Sequence, residues 1–382
     1  ALYTGRVNLN SECGLEQCDL AIVGGSFACL SCAREAAHNG LTTQVFERKI
    51  APGAYTQSTG LFVQEIADQM ALPERLIRRI TGVRLYAPNL NYVDLRSPGY
   101  EFIATDTPKV LSWMAEQAQQ AGAIISASEQ VQNVVQYADR VVLPEQDTAA
   151  RYLVAADGAN STVARALGLG TNKVMLSGAE YEVDGFHDLP DDLLHVFISN
   201  EYAPGYIGWL FKGVHSAQLG IAVKPGHRVR LRAFFELLKR RFDPNAKMLS
   251  GRGGYIPCGG VVHPWARDNV CLLGDAAGMV SPLTAGGIHP SIEVGQQLGA
   301  AIAMHLRHDL PLPQEQIRAL VKTYPVKRQL RRLANLVSFS DRISNHVINN
   351  TAFQRAAQLI FFHNRGLFSK RAWGEILFAK SH

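Results

Sequence analysis

Residues 19–32 read "DLAIVGGSFACLSC", and the parsing of that stretch decides the fold. The apolar run from Leu20 to Gly24 has the length and uniform hydrophobicity of a strand buried on both faces. It breaks at Gly24-Gly25, and residues 27–39, "FACLSCAREAAHN", resume as a helix that Gly40 stops. "TTQVFERK" then gives a second strand ending at Glu47. Strand, tight turn, helix and strand within about 30 residues make the frame of a dinucleotide-binding unit on a parallel sheet. In the fingerprint G-x-G-x-x-G, Gly24 takes the first place, while Ser26 and Cys29 stand in the second and third. Both replacements are small, and the helix start still offers free amides to a phosphate. Glu47 lies 23 residues past Gly24, near the spacing of about 20 at which an acid meets a ribose hydroxyl.

Beyond Glu47, a loop containing Gly and Ser at 53–60 precedes a helix from Thr107 to Gly122, where Leu111, Met114, Ala115 and Ala118 recur at helical spacing. Residues 123–154 alternate weakly, as strands or a hairpin feeding a strand that ends at Asp157. Residues 172–262 read mostly as strands around one helix, "LRAFFELLKRRF". "DNVCLLGDAAG" returns to an apolar strand ending at Gly274-Asp275, and 286–307 and 314–378 read mainly as helix. The expected architecture is α/β: a Rossmann-like nucleotide-binding domain from 1–171 and 263–310, an inserted and mostly antiparallel sheet domain at 172–262, and C-terminal helices at 311–382. Part of 60–105 is expected on the substrate side.

Composition excludes several classes. At 47% hydrophobic and 19% charged over 382 residues, the chain is neither disordered, collagen-like nor a coiled coil, and it can bury a core without a disulfide or metal staple. Its six cysteines, at 13, 18, 29, 32, 258 and 271, are too few for a disulfide scaffold. Cys13 and Cys18 have no second pair at zinc-finger spacing, so no metal site is expected. No segment approaches 18 uninterrupted apolar residues, and the first residues have neither a basic head nor an apolar signal core. A soluble, cytoplasmic protein is therefore expected. The net charge of +5 is modest, and Lys322, Lys327, Arg328, Arg331 and Arg332 bunch near the end. No nucleic-acid-binding motif accompanies them, and the segment reads as a solvated helix face.

Three blocks carry a resemblance: the stretch around Gly24, "YLVAADGANSTVARALG" at 152–168, and "NVCLLGDAAGMVSPLTAGGI" at 269–288. In that order, and across roughly residues 18–300, the chain resembles the FAD-dependent oxidoreductases that include geranylgeranyl reductases and aromatic-ring hydroxylases, with the fold of para-hydroxybenzoate hydroxylase. The resemblance implies that Gly24, Gly25, Ser26 and Glu47 hold the ADP half of FAD, with Phe27, Ala28 and Arg48 on the same cofactor side. It puts Asp157 and Gly158 beside the flavin nucleotide, and Gly274 and Asp275 at the ribityl and pyrophosphate region. Pro282, Gly286, Gly287 and Ile288 match the loop and helix start under the isoalloxazine. "APGYIGWLFKG" at 203–213 is similar to the Gly-Tyr-x-x-Trp-x-Phe-Pro element of the geranylgeranyl-reductase branch: Tyr206, Trp209 and Phe211 match, and Lys212 replaces the proline. The branch usually has Asp-Arg after the first flavin loop, and here the pair is Asp106-Thr107.

The activity so implied is FAD-dependent reduction of a carbon-carbon double bond in an apolar or conjugated small molecule, with NAD(P)H or another donor supplying electrons. His289, directly after the flavin loop, is the candidate acid-base group, with Tyr206 and Trp209 as aromatic walls of the reaction site. His263 is a weaker candidate. Two alternatives stay open at this point: a monooxygenase on the same fold, and a non-catalytic binding or assembly protein, for which Ser26, Cys29 and Thr107 speak. Transient contact with a membrane surface follows from the resemblance. Cys29 and Cys32 have redox-pair spacing at a helix start, where the helix field would lower a thiol pKa, and small packing residues are the competing reading.

Overall fold

The computed structural model describes residues 14–308, 310–336 and 340–362. Cys13 and positions 337–339 and 363–378 of the expected helical tail lie outside them. Strand β1 (Glu16–Val23), helix α1 (Phe27–His38) and strand β2 (Thr43–Glu47) form the expected opening unit, and Gly40 at φ +78° takes the left-handed turn that ends it. Next come β3 (Leu61–Val63), α2 (Gln64–Met70), β4 (Ile77–Ile80), β5 (Gly82–Tyr86), β6 (Tyr92–Arg96) and β7 (Phe102–Thr105). Helix α3 (Thr107–Gln120) starts on Asp106, whose side chain accepts from Lys109 N, and Pro108 favours that first turn. Strands β8 (Ile124–Ala127), β9 (Val135–Gln136), β10 (Val141–Leu143) and β11 (Thr148–Ala155) complete the first half.

The second half runs through α4 (Thr162–Ala166), β12 (Met175–Asp184), β13 (Leu193–Phe197), β14 (Gly208–Lys212), β15 (Ala217–Val223), α5 (Leu231–Phe242) and β16 (Lys247–Pro257). Strands β17 (Ala266–Arg267) and β18 (Val270–Leu272) return to the first sheet, followed by α6 (Ile288–His308), α7 (Pro313–Gln316), α8 (Pro325–Leu336), α9 (Asp341–Val347) and α10 (Thr351–Phe362).

These elements make three sheets. The first orders β18-β11-β1-β2-β8 in parallel, with β17, β9 and β10 added antiparallel. Parallel strands need both faces covered, and the continuous apolar runs of β1 and β11 supply that: Leu20, Ala21, Ile22, Leu153, Val154 and Ala155 are fully buried. The second sheet orders β16-β12-β15-β14-β13-β5-β6, antiparallel except for the β13–β5 pair. Residues 82–96 thus share a sheet with strands from the 175–257 region, and α5 packs Phe234, Phe235 and Leu238 beside Leu219 and Ile221 of it. A small sheet, β3-β7-β4, completes the set.

Helix α1 lies so close to α6 that side chains barely separate them. A Cβ at Gly295 would stand 2.7 Å from Ala28 O, and one at Gly299 would stand 2.5 Å from Cys32 O. Two glycines one turn apart on α6 therefore let its backbone meet that of α1 directly.

Candidate functional site

One cavity of about 1520 Å³ runs from the β1–α1 turn, past the second sheet, to α8 and α10. Ligand pockets commonly measure about 300–1,000 Å³, so this one has room for a cofactor and a substrate side by side.

At one end the backbone makes the surface. Gly24 has φ +121°, and a Cβ there would stand 2.4 Å from Ala156 O, so only glycine fits. A Cβ at Gly25 would stand 2.4 Å from Glu47 Oε2, which shows how closely the end of β2 presses on the turn. Glu47 is buried, and its Oε1 accepts from Lys49 N at 2.8 Å. Ser26, at the N-cap of α1, makes no side-chain cap bond and is exposed on the cavity wall. The first amides of α1 consequently keep their capacity to bind an anion. Phe27, Ala28 and Arg48 line the same end. Cys29 points inward, its thiol donating to Gly24 O at 2.8 Å, and burial pushes its pKa well up. Cys32 is likewise buried and raised, chiefly by desolvation. Of the two readings of this pair, the structure favours packing: burial outweighs the helix field at both thiols.

Asp157 uses one carboxyl oxygen to receive Thr162 N (2.7 Å) and Val163 N (3.2 Å) at the start of α4; the other, Oδ1, is buried with no partner. Gly158 lies beside it at φ +87°. Asn172 Nδ2 ties this loop to the next motif by donating to Ala159 O and Asp275 O at 2.9 and 2.8 Å. Asp275 lines the cavity, and burial alone raises its carboxyl to about 6. Gly274 does not line the cavity: at φ +61° it packs toward Ala28 and Ser291, holding the turn behind Asp275.

The 281–287 loop closes on itself through Ser281 N to Gly286 O (3.1 Å) and Ala285 N to Ser281 O (2.9 Å). Gly286, Gly287 and Ile288 line the cavity, whereas Pro282 faces away and accepts from Arg331. Thr284 Oγ1 is buried without a partner. His289 lies on the cavity wall in the first turn of α6, its Nε2 3.8 Å from Glu293 Oε2, and desolvation lowers its pKa. His263 is not among the lining residues.

The far end is built from side chains. Tyr206 donates its hydroxyl to Thr284 O at 2.7 Å, and burial raises its pKa to about 12. Trp209 donates to Glu180 Oε2 at 2.7 Å, the same oxygen that receives Thr59 Oγ1 at 2.9 Å. Arg252 closes this network, pairing with Glu180 and with Glu182 at 3.0 Å. Leu194, Val196, Ile207 and Phe211 extend the apolar wall, and α10 adds Phe353, Ile360 and Phe361.

Two contributors were not visible in the sequence. Glu180 sat in an alternating strand like any surface acid. Arg331 comes from α8, is 3% exposed, and donates to three main-chain carbonyls: Pro282 at 2.7 Å, Gly205 at 2.7 Å and Leu283 at 3.0 Å. Its guanidinium also sits 5.4 Å from the Tyr206 ring centre. The solvated basic face expected for this helix is therefore corrected: Arg331 turns inward to satisfy carbonyls of two loops. At the position where the reductase branch has arginine, Thr107 is buried, 3.1 Å from Thr105 Oγ1.

The residues present fit FAD. The free amides at the start of α1 and the exposed N-cap Ser26 stand on the cavity wall, where a cofactor rich in phosphate and hydroxyl groups would meet them, and Asp157 and Thr284 line the same cavity with one buried oxygen each left without a partner.

Comparison with known proteins agrees. Residues 17–207, half of the chain, match the family model described as FAD binding domain. The chain is 29% identical over 314 residues to digeranylgeranylglycerophospholipid reductase 2 of Methanopyrus kandleri, covering 76% of this chain and 78% of that one. It is 27% identical to the digeranylgeranylglycerophospholipid reductase of Methanothrix thermoacetophila, over 87% and 90% of the two chains. In fold it resembles a geranylgeranyl bacteriochlorophyll reductase-like protein of Thermoplasma acidophilum, with TM-score 0.78, 20% identity, and 88% and 91% of the chains covered. Aklavinone-11 hydroxylase, solved with FAD and aklavinone, follows at TM-score 0.65 and 18% identity, covering 87% of this chain and 70% of that one. With the motifs, the sheet order and the family model in agreement, the chain belongs to the FAD-dependent oxidoreductases that include geranylgeranyl reductases and aromatic-ring hydroxylases.

Proposed function

We propose that the protein reduces carbon-carbon double bonds of a polyprenyl-type lipid. The observation that carries this reading is the continuity of one cavity from a backbone-lined nucleotide end to a wall of Tyr206, Trp209, Phe211, Phe353 and Phe361. FAD, when bound, supplies the hydride. The β1–α1 turn and Asp157 would hold the nucleotide, Asp275 would meet the ribityl and pyrophosphate region, and the 286–288 loop would lie under the ring. Tyr206 and Trp209, fixed by Thr284 O and Glu180, exclude water and press the apolar chain into place. His289 delivers the proton to the second carbon from the wall at the start of α6. Because desolvation holds its pKa below the ordinary histidine range, its proton is available increasingly as pH falls below neutral, and turnover is expected to rise in that direction.

The test begins with the visible spectrum of the purified protein, then anaerobic reduction and reaction with a geranylgeranyl lipid. Retained flavin and a product heavier by two hydrogens per reduced bond support the reading. His289→Gln should keep the flavin and lose about 100-fold in rate. Oxygen-dependent hydroxylation would instead make the protein a monooxygenase, and the absence of saturable FAD binding would end the enzymatic reading altogether. Of the expected cellular placement, the structure bears on one point: among the described residues no helix is long and apolar enough to cross a membrane.

A further inference from the structure

Neighbouring strands of the second sheet put one residue each into a single transverse row. Arg252 of β16 pairs with Glu180 of β12, Glu180 with Gly220 of β15, and Gly220 with Trp209 of β14. Directly paired residues turn their side chains to the same face, and the row continues through Val196 of β13 to Leu85 of β5. Each of these except Gly220 lines the cavity. Adjacent strands lie about 4.8 Å apart, so Glu180 and Trp209 start about 10 Å from each other with Gly220 between them. The indole nevertheless donates to Glu180 Oε2 at 2.7 Å, which it does by lying down across Gly220. A Cβ on Gly220 would stand 2.8 Å from Trp209 Nε1 and closer still to Cζ2 and Cε2. The ring fills the place where a side chain at 220 would be.

We propose that Gly220 and Glu180 are specificity-determining positions: together they keep the Trp209 indole flat against the sheet, and the height of the slot left above it decides whether a methyl-branched lipid chain can enter. The glycine supplies the bed and the carboxylate supplies the pin. Glu180 is itself held, since Thr59 Oγ1 donates to the same oxygen at 2.9 Å and Arg252 pairs with the other. The acceptor therefore cannot follow the indole if the ring moves. Gly220 is buried and its own strand lies beneath the ring, so a carbon added there pushes the indole toward the open side, which is the cavity. A raised ring loses Glu180 and narrows the passage to Val196 and Leu85. Lying flat, it offers its broad face and extends the aliphatic floor that those two residues form. This inference rests on the lipid-reductase reading for the identity of the chain that enters, but its geometry stands without it.

The test titrates geranylgeraniol into the oxidised, flavin-loaded protein and follows the flavin absorbance, a binding readout that needs no turnover. Gly220→Ala should keep its flavin and bind about tenfold more weakly, because the indole is lifted into the slot. Made together with Trp209→Phe, whose smaller ring leaves room over the strand, the same substitution should weaken binding less than about twofold relative to Trp209→Phe alone. Glu180→Leu, which removes the acceptor, should show the same dependence on Trp209, and Glu180→Gln, which keeps an oxygen for the indole N–H, should recover most of the affinity. Unchanged binding in Gly220→Ala, or equal losses with and without the indole, overturns the proposal. A Gly220→Ala chain that folds only when Trp209→Phe accompanies it supports the clash, whereas failure to fold in both backgrounds gives the glycine to the strand and also overturns it. Binding by Glu180→Gln as weak as by Glu180→Leu would strike Glu180 from the pair. If the wild type binds geranylgeraniol and reduces nothing, the reductase reading fails and the floor stands; if it reduces the lipid and the indole makes no difference, the floor fails and the reading stands.

Discussion

Helices α1 and α8 both form part of the cavity wall, and they are built in opposite senses. Helix α1 buries nine of its twelve residues, most of them Ala, Cys or Ser, and offers the cavity its backbone start. Helix α8 offers side chains, with Arg331 reaching three carbonyls across two loops. The first arrangement works by removing atoms until backbones touch, the second by extending one long side chain into a gap. Small-residue packing tolerates almost no added volume, whereas a clamp depends on the number and geometry of its donors.

Three changes break or sharpen this contrast. Gly299→Val is the harshest, because its side chain would meet the Cys32 carbonyl, which belongs to helix backbone and cannot step aside. A loss of about 3 kcal/mol in chemical denaturation is expected; less than about 1 kcal/mol would mean that the two helices slide apart freely. Arg331→Met keeps most of the volume but strips the Pro282, Leu283 and Gly205 carbonyls of their donors, and should cost about 2 kcal/mol. Arg331→Lys restores a single ammonium and should fall between the two, and equality with wild type would show that the charge matters and the fork does not. The mildest effect is a pH dependence. Burial raises Asp275 from 3.8 to about 6, so the folded state holds this proton more tightly than the unfolded chain does. Stability from this group is present at low pH and is lost as pH rises through about 6. Lowering the pH of the apoprotein from 7 to 5 should recover about 1 kcal/mol through Asp275. Asp275→Asn should remove that component, and an unchanged pH profile would assign it to other groups.

The contrast also explains what could be read from sequence. The turn at Gly24, the acid at Glu47 and the Asp157-Gly158 and Gly274-Asp275 pairs are local: strand, glycine and acid are neighbours in the chain, so order and spacing alone locate them. The substitutions at Ser26 and Cys29 were legible as departures, but not their effect, which depends on an uncapped helix start and a thiol aimed at Gly24 O. Gly274 and Pro282 matched motif positions, yet they support the wall from behind, because a motif records which residues travel together and not which of them faces the cavity. Arg331 was illegible for a different reason. It meets its carbonyl partners from 48 to 126 positions away, and the helical period that reveals two faces does not say which is turned inward. Glu180 acquired its significance only when Trp209, Thr59 and Arg252 converged on it from three other segments.

The glycine contact between α1 and α6 bears on how such a protein can be rebuilt. Helix α1 begins at the Gly24-Gly25 turn and α6 begins after the 281–287 loop, with Ile288 and His289 in its first turn. Backbone touching backbone at Gly295 and Gly299 makes the pair one rigid gauge between those two starts. A chimera that takes α1 from one relative and α6 from another would change the distance between the two ends of the proposed cofactor site even if each helix folded faithfully. The interchangeable part is therefore the pair, and a graft designed around the conspicuous N-terminal motif alone would carry only one end of the ruler.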